Sequence, residues 1–579
     1  MTAVPRLVVS APSSGHGKTA ITVGLLAAWA ARGLDAAGFK IGPDRTDAAY
    51  LGLAAGRPGR TLDARLIGPQ RVAPLFAFGA ASAGIAVVEG TMGLYDSLSG
   101  RPDADSTAAV ATALRAPVVL VVDVAAMGQS VAALVHGFRA YDELLWLGGV
   151  ILNRVASDRH EELLREALDD LGVPVFGALR RHDLPSVLPS RQHGVVPVLR
   201  GSAEAAQGVR RLGEAVAATV DLDGMLRLAS SAPRLSVDPW SVADAAAGPT
   251  VDQVTLGPRQ RPVVAVAGGS AGSYSHPETA ELLAAAGADV VTVDPLRDEG
   301  LPAGTSALVI GGGLPETYAP ELSANRRLCI AVAELARTGH PVVAEGTGLL
   351  WLLRQFDGQP MCGVLDAEGG SMDSIVVGYR DATARSASVV AGVDDRVVGY
   401  KQHRGVVHPR SGEAAAWRWA GTDEGFVWRG VHASQLTLHW AGVPGLAGRL
   451  VTAAAPAQPA GPAPRTGRPA VVPRAVVDPP AATTPGVPAQ TDPMSPAGPG
   501  AGFPAAPEAG GGFPGYGAAV APAGETVAPA GEVAVTPAGL GPDPAQSSRM
   551  GVDPVSPAVT LPSPGGGSAA TPADDERPA

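Results

Sequence analysis

The sequence predicts an α/β protein with two doubly wound, mostly parallel-sheet domains followed by a disordered C-terminal tail. Short apolar runs alternate with helical patterns over residues 6–200, and the same alternation returns from 262 to about 450. Strands that are apolar on both faces and separated by helices are typical of parallel sheets covered on both sides. Beyond about residue 455 the chain is rich in Pro, Ala and Gly and has few charges. Such a composition buries too little apolar surface to offset the entropy of the chain.

The order of these patterns divides the chain into four parts. The first domain is expected over residues 1–225, with strands at RLVVSAP, IAVVEG, PVVLVVDV and LGGVILNRV. Residues 226–261 are weakly patterned and contain several prolines and glycines, so we interpret them as a linker. The second domain is expected over 262–452, with strands at RPVVAVAGG, ADVVTVDP, SALVIGGG and HPVVAEG. The tail then covers 453–579.

Composition excludes several classes of protein. The formal net charge of −11 gives no sign of a nucleic-acid or anionic-membrane partner. Only two cysteines are present, Cys329 and Cys362, which excludes a disulfide framework and argues against a Cys-rich metal site. The sequence contains neither an apolar run of about 18 residues nor a secretory leader pattern. We therefore expect a cytoplasmic protein without a membrane segment.

A phosphate-binding loop is predicted at APSSGHGKTA, residues 11–20, which follows the first strand and opens the first helix. At such a helix N-terminus backbone N–H groups face an anion, Lys18 adds a positive charge, and the Thr19 hydroxyl can bind Mg²⁺. Pro12 stands where the usual Walker pattern has its first glycine, so the loop is a deviant P-loop. Nucleotide binding is the prediction, and a structural glycine turn is the alternative.

Polar residues also follow three other predicted strands. The segments FKIGPDRTDAAY, VVEGTMGLYDS and VILNRV supply six candidates, Lys40, Asp44, Asp47, Glu89, Asp96 and Asn153. In open parallel sheets, ligands bind outside the carboxyl ends of the strands, where acidic side chains can hold the Mg²⁺ that bridges phosphates. Each acid alone would more often be a helix cap or a solvated residue. Beside a phosphate loop they indicate an active site, with Asn153 as an adenine contact.

These motifs resemble those of the cobyrinic (or hydrogenobyrinic) acid a,c-diamide synthase family. The resemblance is carried by SSGHGKT, KIGPD, VVEGTMGLYD and GVILNRVASDRHEELLREAL in the first domain, then by VIGGGLPETYAPELSAN, MCGVLDA and VHASQLTLHW in the second. The resemblance covers about residues 5 to 450 and leaves out the tail. It implies a dethiobiotin-synthetase-like, P-loop ATP domain followed by a class I, triad-type glutaminase domain, and it leaves a homodimer open.

The resemblance also implies a reaction. ATP, Mg²⁺ and glutamine would convert the a and c acetate side chains of a corrin-ring polycarboxylate into acetamides, a step of cobalamin biosynthesis. ATP would first make an acyl phosphate, which ammonia then attacks. The triphosphate would be held by Gly15, Gly17, Lys18 and Thr19. The Mg²⁺ ligands would be Thr19, Glu89 and Asp47. The residues near the transferring phosphate and the substrate carboxylate would be Lys40, Asp44, Asp47 and Asp96.

The chain departs from the family at PVVAEGTGLLWLL, residues 341–353. An apolar run ends at Ala344 and a glycine-bearing turn leads into a new apolar stretch, which is typical of an elbow that exposes a nucleophile. In the family this elbow carries the Cys that attacks the glutamine amide. Aligning AEGTGLLWL puts Gly346 in its place, and Thr347, one residue off the apex, is a poor substitute. We therefore expect a glutaminase elbow without its nucleophile.

Other glutaminase features are kept only in part. The glycines 311–313 in GGGLPE resemble the oxyanion loop. His439 matches the later His of the family's His-x-His and is the simplest candidate for the activating base, whereas Thr437 replaces the earlier His. VVGYKQHRG is a further departure, as is Arg45, which stands where an aromatic residue is usual.

Three functions stay open at this stage. The leading one is an ATP-dependent amidoligase that cannot hydrolyse glutamine and takes free ammonia or ammonia from another subunit. The second is a non-catalytic paralogue that binds ATP or a corrinoid, which the clustered departures and Arg45 favour. The third is a partition-type ATPase, against which the glutaminase-like second half argues. Cys329 or Cys362 could serve as a relocated thiol nucleophile. The alternative is that both are buried cysteines that pack as apolar residues. The sequence leaves open whether the substrate carries cobalt.

Overall fold

The computed structural model describes residues 3–188, 203–248, 261–269, 275–312, 315–455 and 534–535. Apart from 453–455 and the two-residue strand β20 (Ala534–Val535), the tail predicted over 453–579 lies outside the described residues. Within the described part of the chain, no helix combines the length and the apolar composition needed to cross a bilayer.

A seven-stranded parallel sheet forms the centre of the first domain. Its strands are β1 (Arg6–Ser10), β2 (Ala36–Ile41), β3 (Arg60–Leu62), β4 (Ile85–Glu89), β5 (Val118–Asp123), β6 (Leu147–Val155) and β7 (Val175–Arg180). The spatial order is β3-β2-β4-β1-β5-β6-β7. Strands β2 to β4 therefore lie on one side of β1, and β5 to β7 lie on the other. Every residue of β1 and β4 is buried, as the apolar runs predict. In such a doubly wound sheet the carboxyl end of the central strands is where a ligand binds.

Helices cover both faces of this sheet. They are α1 (Lys18–Ala31), α2 (Arg45–Ala55), α3 (Ala64–Ile67), α4 (Pro69–Gly79), α5 (Pro102–Asp105), α6 (Thr107–Ala113), α7 (Ser130–Ala140), α8 (Asp158–Asp169), α9 (Ala203–Thr219) and α10 (Leu222–Ser230). Helix α2 begins at Arg45 because the Asp44 side chain accepts a hydrogen bond from the Asp47 N–H at 3.0 Å, which caps the helix. The capped start of α2 thus places Asp44, Arg45 and Asp47 shortly after the carboxyl end of β2.

The stretch predicted as a linker, 226–261, contains regular structure. It holds the end of α10 and helix α11 (Val242–Ala247), whose first turn is capped by Ser241. Trp240 packs edge-on against Phe78 of α4 with ring centroids 5.3 Å apart. Residues 249–260 lie outside the described part of the chain.

Within its described residues, the second domain has twelve strands and four α-helices. The strands are β8 (Val263–Ala267), β9 (Asp289–Val293), β10 (Thr305–Ile310), β11 (Val342–Glu345), β12 (Gln355–Phe356), β13 (Gln359–Pro360), β14 (Glu368–Ala384), β15 (Arg396–His408), β16 (Trp417–Trp419), β17 (Thr422–Glu424), β18 (Phe426–Trp428) and β19 (Val431–Ser434). The helices are α12 (Pro277–Ala285), α13 (Pro315–Ala324), α14 (Arg326–Arg337) and α15 (Leu446–Ala454). The main sheet has the order β18-β19-β11-β10-β8-β9 and is parallel except for β18.

A long antiparallel hairpin, β14 with β15, is the main element that the sequence did not predict. It reaches the first domain. The Tyr379 hydroxyl donates to Asp63 at 2.8 Å, and Arg65 pairs with Asp381 at 2.6 Å. Burial raises the pKa of Asp63 to about 6. The hairpin therefore fixes the second domain against the loop that follows β3.

A buried ion pair also joins the two domains. Arg60, at the start of β3, contacts Glu278 of α12 at 2.7 Å and Glu281 at 2.5 Å, and Glu278 is fully buried. Removing one partner of such a pair leaves a charge buried without compensation, which costs far more than the intact pair contributes.

We expect Arg60→Met to destabilise the protein by roughly 3–5 kcal/mol, because it strands the buried Glu278 carboxylate. Differential scanning fluorimetry should show a melting temperature several degrees lower. Arg32→Met is the matched control, since Arg32 forms a 3.0 Å pair with Asp223 in which both side chains are exposed. Equal melting temperatures for the two variants would show that the interface does not depend on Arg60.

Candidate active site

The loop between β1 and α1 has the geometry of a phosphate-binding loop. Gly15 and Gly17 adopt φ values of +92° and +93°, in the left-handed region that favours glycine. A Cβ at Gly17 would lie 2.5 Å from the Asn153 amide nitrogen, so only glycine fits there. The Lys18 ammonium donates to the Ser13 carbonyl at 2.9 Å and so folds back over the loop. Backbone N–H groups and one buried cation therefore surround the start of α1.

Asn153, at the end of β6, braces this loop. Its amide nitrogen donates to the His16 carbonyl at 2.8 Å, and its side-chain oxygen accepts from the Arg154 N–H at 2.9 Å. The ring of His16 accepts from the Asp123 N–H at 2.8 Å. These bonds fix the loop against β5 and β6. The adenine contact predicted for Asn153 stays a prediction.

A compact set of charged and polar side chains lies beside the loop, at the ends of β2 and β4. Lys40 contacts Glu89 at 2.7 Å and Asp47 at 2.9 Å, and Thr19 donates to the same Glu89 oxygen at 2.5 Å. Lys40 and Glu89 are both at most 1% exposed. Four residues predicted from three separate segments are thus brought into direct contact.

The second carboxylate oxygen of Glu89 makes no hydrogen bond to any described residue although it is buried. Burial raises the pKa of Glu89, and the Lys40 ammonium acts against that rise. A buried, unsatisfied carboxylate oxygen next to the Thr19 hydroxyl and Asp47 fits the oxygen donors that Mg²⁺ prefers. These three residues could therefore hold the ion.

The remaining two acids have local roles in the structure. Asp44 caps α2, as described above. Asp96 accepts from the Gly93 N–H at 2.8 Å, and a Cβ at Gly93 would lie 2.5 Å from the Pro12 carbonyl. The Asp96 turn therefore packs directly on the phosphate loop. Their predicted position near a substrate carboxylate stays a prediction.

The elbow predicted in the second domain is present. Strand β11 ends at Glu345, Gly346 has φ +59°, and a 3-10 helix follows over Gly346–Leu352. This strand–turn–helix geometry is the one that presents a nucleophile. Apart from the backbone around Gly346 itself, the described atoms within 4 Å of a Cβ there would be the Thr437 hydroxyl at 2.7 Å and Gly312 Cα at 3.7 Å. The apex thus faces Thr437 and the glycine loop after β10.

The glycine loop touches the elbow closely. A Cβ on Gly348 would lie 2.5 Å from the Gly311 carbonyl, so the first turn of the 3-10 helix rests on this loop. Thr437 is held in place because it exchanges two 2.9 Å backbone hydrogen bonds with Tyr400 of β15. Gly313, also predicted for the oxyanion loop, lies outside the described residues.

His439 occupies a different environment from the one its predicted role requires. It is 1% exposed, and its ring stacks on that of His276 with centroids 4.0 Å apart. Burial, followed by the charge of Arg60, lowers its pKa to about 3, so the imidazole is neutral at physiological pH. No atom of His439 lies within 4 Å of the apex Cβ position. The geometry favours position 437, not 439, as the partner of the apex.

His276, Glu278 and His439 together form a buried cluster whose possible ligand atoms lie within 4.8 Å of one another. Arg60 already pairs with Glu278, and the charges of Arg60 and Arg45 lower the pKa of His439. This positive surrounding disfavours a metal ion there.

The direction of the Arg45 side chain could not be predicted from the sequence. Arg45 is the first residue of α2, between two acids of the ATP-domain cluster, yet its guanidinium reaches the second domain. A Cβ on Gly312 would lie 2.8 Å and 3.2 Å from the two terminal nitrogens of Arg45. The departure from the family's aromatic residue was visible in the sequence, but the direction of the side chain was not.

Comparisons with known proteins agree with this arrangement. Residues 7–195 match the family model for the CobQ/CobB/MinD/ParA nucleotide binding domain, and residues 271–441 match the CobB/CobQ-like glutamine amidotransferase domain. Hydrogenobyrinate a,c-diamide synthase of Streptomyces coelicolor is 52% identical over 78% of this chain and 97% of that protein. The Thermobifida fusca protein of the same name is 45% identical over 79% and 98%. Cobyrinate a,c-diamide synthase of a Synechococcus strain is 34% identical over 76% and 96%.

The chain belongs to the a,c-diamide synthase family. The predicted fold class, a P-loop nucleotide-binding domain followed by a glutamine-amidotransferase-like domain, is confirmed.

Relative to the a,c-diamide synthase pattern, three departures of this chain converge in space. Gly346 and Thr437 face each other, and Arg45 lies against Gly312, whose Cα is 3.7 Å from the apex Cβ position. Sequence order separates these residues by up to several hundred positions. The fold thus places these three residues at one site.

Glu345, next to the apex, gives this a,c-diamide synthase family member a predicted pH dependence. Burial raises its pKa to about 7, against the hydrogen bond from Trp440 and the charge of Arg45. A carboxyl whose folded pKa exceeds its unfolded value near 4.5 adds stability below that value, and the stability is lost as pH rises through about 7. The change amounts to about 3 kcal/mol at most.

We expect Glu345→Gln to remove this component, because the amide cannot ionise but still accepts from Trp440. The melting temperature of the unmodified chain should fall more steeply between pH 5 and pH 7.5 than that of the variant. Glu321→Gln, at an exposed position of α13, is the control. Identical pH profiles for the unmodified chain and Glu345→Gln would contradict the assignment.

Proposed function

We propose that this chain is an ATP-dependent amidoligase that converts the a and c side-chain carboxylates of hydrogenobyrinic acid into amides in cobalamin biosynthesis, with free ammonia as nitrogen donor. The observation that carries the proposal is the contrast between its two halves. Thr19, Glu89, Lys40 and Asp47 are in direct contact beside the phosphate loop. The elbow that would release ammonia from glutamine has a glycine at its apex.

The first half would make the carboxylate reactive. A substrate carboxylate oxygen attacks the terminal phosphorus of ATP, and the bond to ADP breaks, which leaves an acyl phosphate on the corrin side chain. The phosphate loop and Lys18 hold the phosphates in line. Lys40, already buried between Glu89 and Asp47, balances the negative charge that builds up on the transferring group.

A bound Mg²⁺ would screen the phosphate charges. Glu89, Thr19 and Asp47 would be its protein ligands, and the unsatisfied Glu89 oxygen supports this choice. The Asp44 and Asp96 side chains, at the ends of neighbouring segments, would lie next to the substrate carboxylate and the incoming amine.

Ammonia then completes the reaction. Its lone pair attacks the acyl carbon, phosphate leaves, and the nitrogen loses a proton to give the amide. Only unprotonated ammonia has a lone pair, so the rate should rise with pH at a fixed total ammonium concentration. No residue of the elbow takes part in this step.

The relatives support the cobalt-free ring as substrate. The relatives from Streptomyces and Thermobifida, with the higher identities reported above, carry the hydrogenobyrinate name, and the cobyrinate name belongs to the less similar Synechococcus protein. Cobyrinic acid is the alternative substrate.

The proposal is tested with purified chain, ATP, Mg²⁺, ammonium and hydrogenobyrinic acid that carries heavy oxygen in its carboxylates. We expect substrate-stimulated ATP turnover, a diamide product, and one heavy oxygen in each inorganic phosphate released. ATP turnover without heavy oxygen in the phosphate would contradict the acyl phosphate. Cobyrinic acid in a parallel reaction decides between the two rings.

A second candidate is a non-catalytic paralogue that binds ATP or a corrinoid. The convergence of Arg45, Gly346 and Thr437 at one site favours it. Under this function, calorimetry would detect nucleotide or corrinoid binding while the same samples show no substrate-stimulated turnover.

A further inference from the structure

We propose that Arg45 closes the interior passage between the elbow and the ATP-domain cluster, so that ammonia reaches the acyl phosphate from solvent and not from the second domain. This inference rests on the proposed function and adds the route by which the nitrogen arrives. The structural feature that carries it is the position of one guanidinium between two sites.

The contacts form a continuous series from one site to the other. The backbone of Arg45 lies between Asp44, the cap of α2, and Asp47, which contacts Lys40. Its guanidinium lies against Gly312, with a terminal nitrogen 2.8 Å from the position of a Cβ there. Gly312 in turn borders the apex, since its Cα is 3.7 Å from the Gly346 Cβ position. The side chain of Arg45 thus occupies the direct line between the cluster and the elbow.

The charge of Arg45, as well as its size, opposes the passage of ammonium. Its electrostatic effect extends to Glu345, His276 and His439, which line the elbow side of the interface. All three are buried, so this charge is poorly screened by water. A fixed guanidinium repels ammonium, and this one packs closely on Gly312.

This closure is compatible with the dead elbow. A chain that generates ammonia inside must keep a path from the elbow to the acyl phosphate, because ammonia released to water is diluted and protonated. A chain without the nucleophile has no use for such a path.

The test restores the elbow and compares two versions of it. The double variant Gly346→Cys with Thr437→His supplies a thiol and a facing imidazole, and a triple variant adds Arg45→Ala. Both receive glutamine labelled in its side-chain amide nitrogen, ATP, Mg²⁺ and hydrogenobyrinic acid, without added ammonium. The measured quantity is labelled amide formed per glutamate released.

We expect the double variant to hydrolyse glutamine but to lose the labelled nitrogen to solvent as ammonium. In the triple variant the ratio of amide to glutamate should rise about tenfold or more, since the ammonia is delivered next to the acyl phosphate. Equal ratios in the two variants would overturn the closure. Amidation with added ammonium, measured for each protein, reports on the proposed function separately, because it does not depend on the passage.

A second measurement decides the matter if the restored elbow proves inactive. Crystals of the unmodified chain and of Arg45→Ala are exposed to xenon under pressure. The closure predicts xenon between Gly312 and Asp47 only in Arg45→Ala. Xenon at that position in the unmodified chain would overturn the proposal, and so would its absence from both crystals, because then there is no passage for Arg45 to close.

Discussion

Purified chain is expected to release no glutamate from glutamine. A glutaminase thiol carries the covalent intermediate, and removal of a catalytic nucleophile typically costs about 10⁴-fold or more in rate. Gly346 offers no nucleophilic atom, and the side chain that faces it is the Thr437 hydroxyl, not an imidazole. Thr347, one residue further, is 5% exposed and sits within the 3-10 helix. Neither the Gly346 apex nor the Thr437 side chain that faces it supplies a thiol or an imidazole.

The geometry also predicts how activity could be restored. Gly346→Cys alone should hydrolyse no glutamine, because its Cβ would lie 2.7 Å from the Thr437 hydroxyl, and a hydroxyl cannot accept the thiol proton. Gly346→Cys with Thr437→His should gain measurable hydrolysis in a coupled glutamate assay. Thr347→Ala is the control and should change nothing. Hydrolysis by the unmodified chain that disappears in Thr347→Ala would identify Thr347 as a working nucleophile and contradict this account.

The second large effect is expected at Glu89. Glu89→Gln keeps an acceptor for Thr19 and Lys40 but removes the charge of the buried carboxylate, including the oxygen that has no partner among the described residues. We expect the rate of ammonium-dependent amidation at saturating ATP to fall about 10²–10³-fold. The dependence of that rate on Mg²⁺ concentration should shift to higher values, because one charged ligand is lost.

Glu278→Gln is the matched control for this prediction. Glu278 is also a fully buried glutamate paired with a cation, Arg60, but it lies in the domain interface and not beside the phosphate loop. It should lower the melting temperature and leave the rate within a few-fold of the unmodified chain. If the two variants lose activity equally, stability rather than a role at the phosphates explains the effect of Glu89→Gln.

The sheets and the ATP-domain cluster could be predicted because the sequence states them directly. Apolar runs such as IAVVEG specify strands buried on both faces, and the polar residue at the end of each run must lie at the carboxyl edge of a parallel sheet. Lys40, Asp47 and Glu89 come together for this reason. The elbow followed from a strand, a glycine turn and a new apolar stretch.

The hairpin of β14 and β15 could not be predicted in the same way. Residues of β14 are mostly of intermediate burial without regular alternation, and only β15 alternates between intermediate and buried positions. Tyr379, for instance, is held by Asp63, a residue more than three hundred positions earlier. Burial that depends on such a distant partner leaves no local periodicity for the sequence to show.

The choice between Thr437 and His439 shows a second limit. They are only two residues apart on the segment that follows β19. The sequence reveals that one of them belongs to the elbow, but only the fold shows that Thr437 faces the apex while His439 stacks on His276. The direction of the Arg45 side chain was equally hidden in the sequence, because a long side chain at the start of a helix can turn toward either domain.

The source of the product nitrogen shows whether this chain amidates its substrate with free ammonia or with nitrogen from glutamine. One reaction contains the unmodified chain, ATP, Mg²⁺, hydrogenobyrinic acid, unlabelled ammonium, and glutamine labelled in its side-chain amide nitrogen, and mass spectrometry reads the product. We predict a diamide that carries unlabelled nitrogen alone, since Lys40 and Thr19 contact Glu89 beside the phosphate loop and the elbow apex is Gly346. A diamide that carries the labelled nitrogen would contradict the claim that this chain amidates its substrate without hydrolysing glutamine.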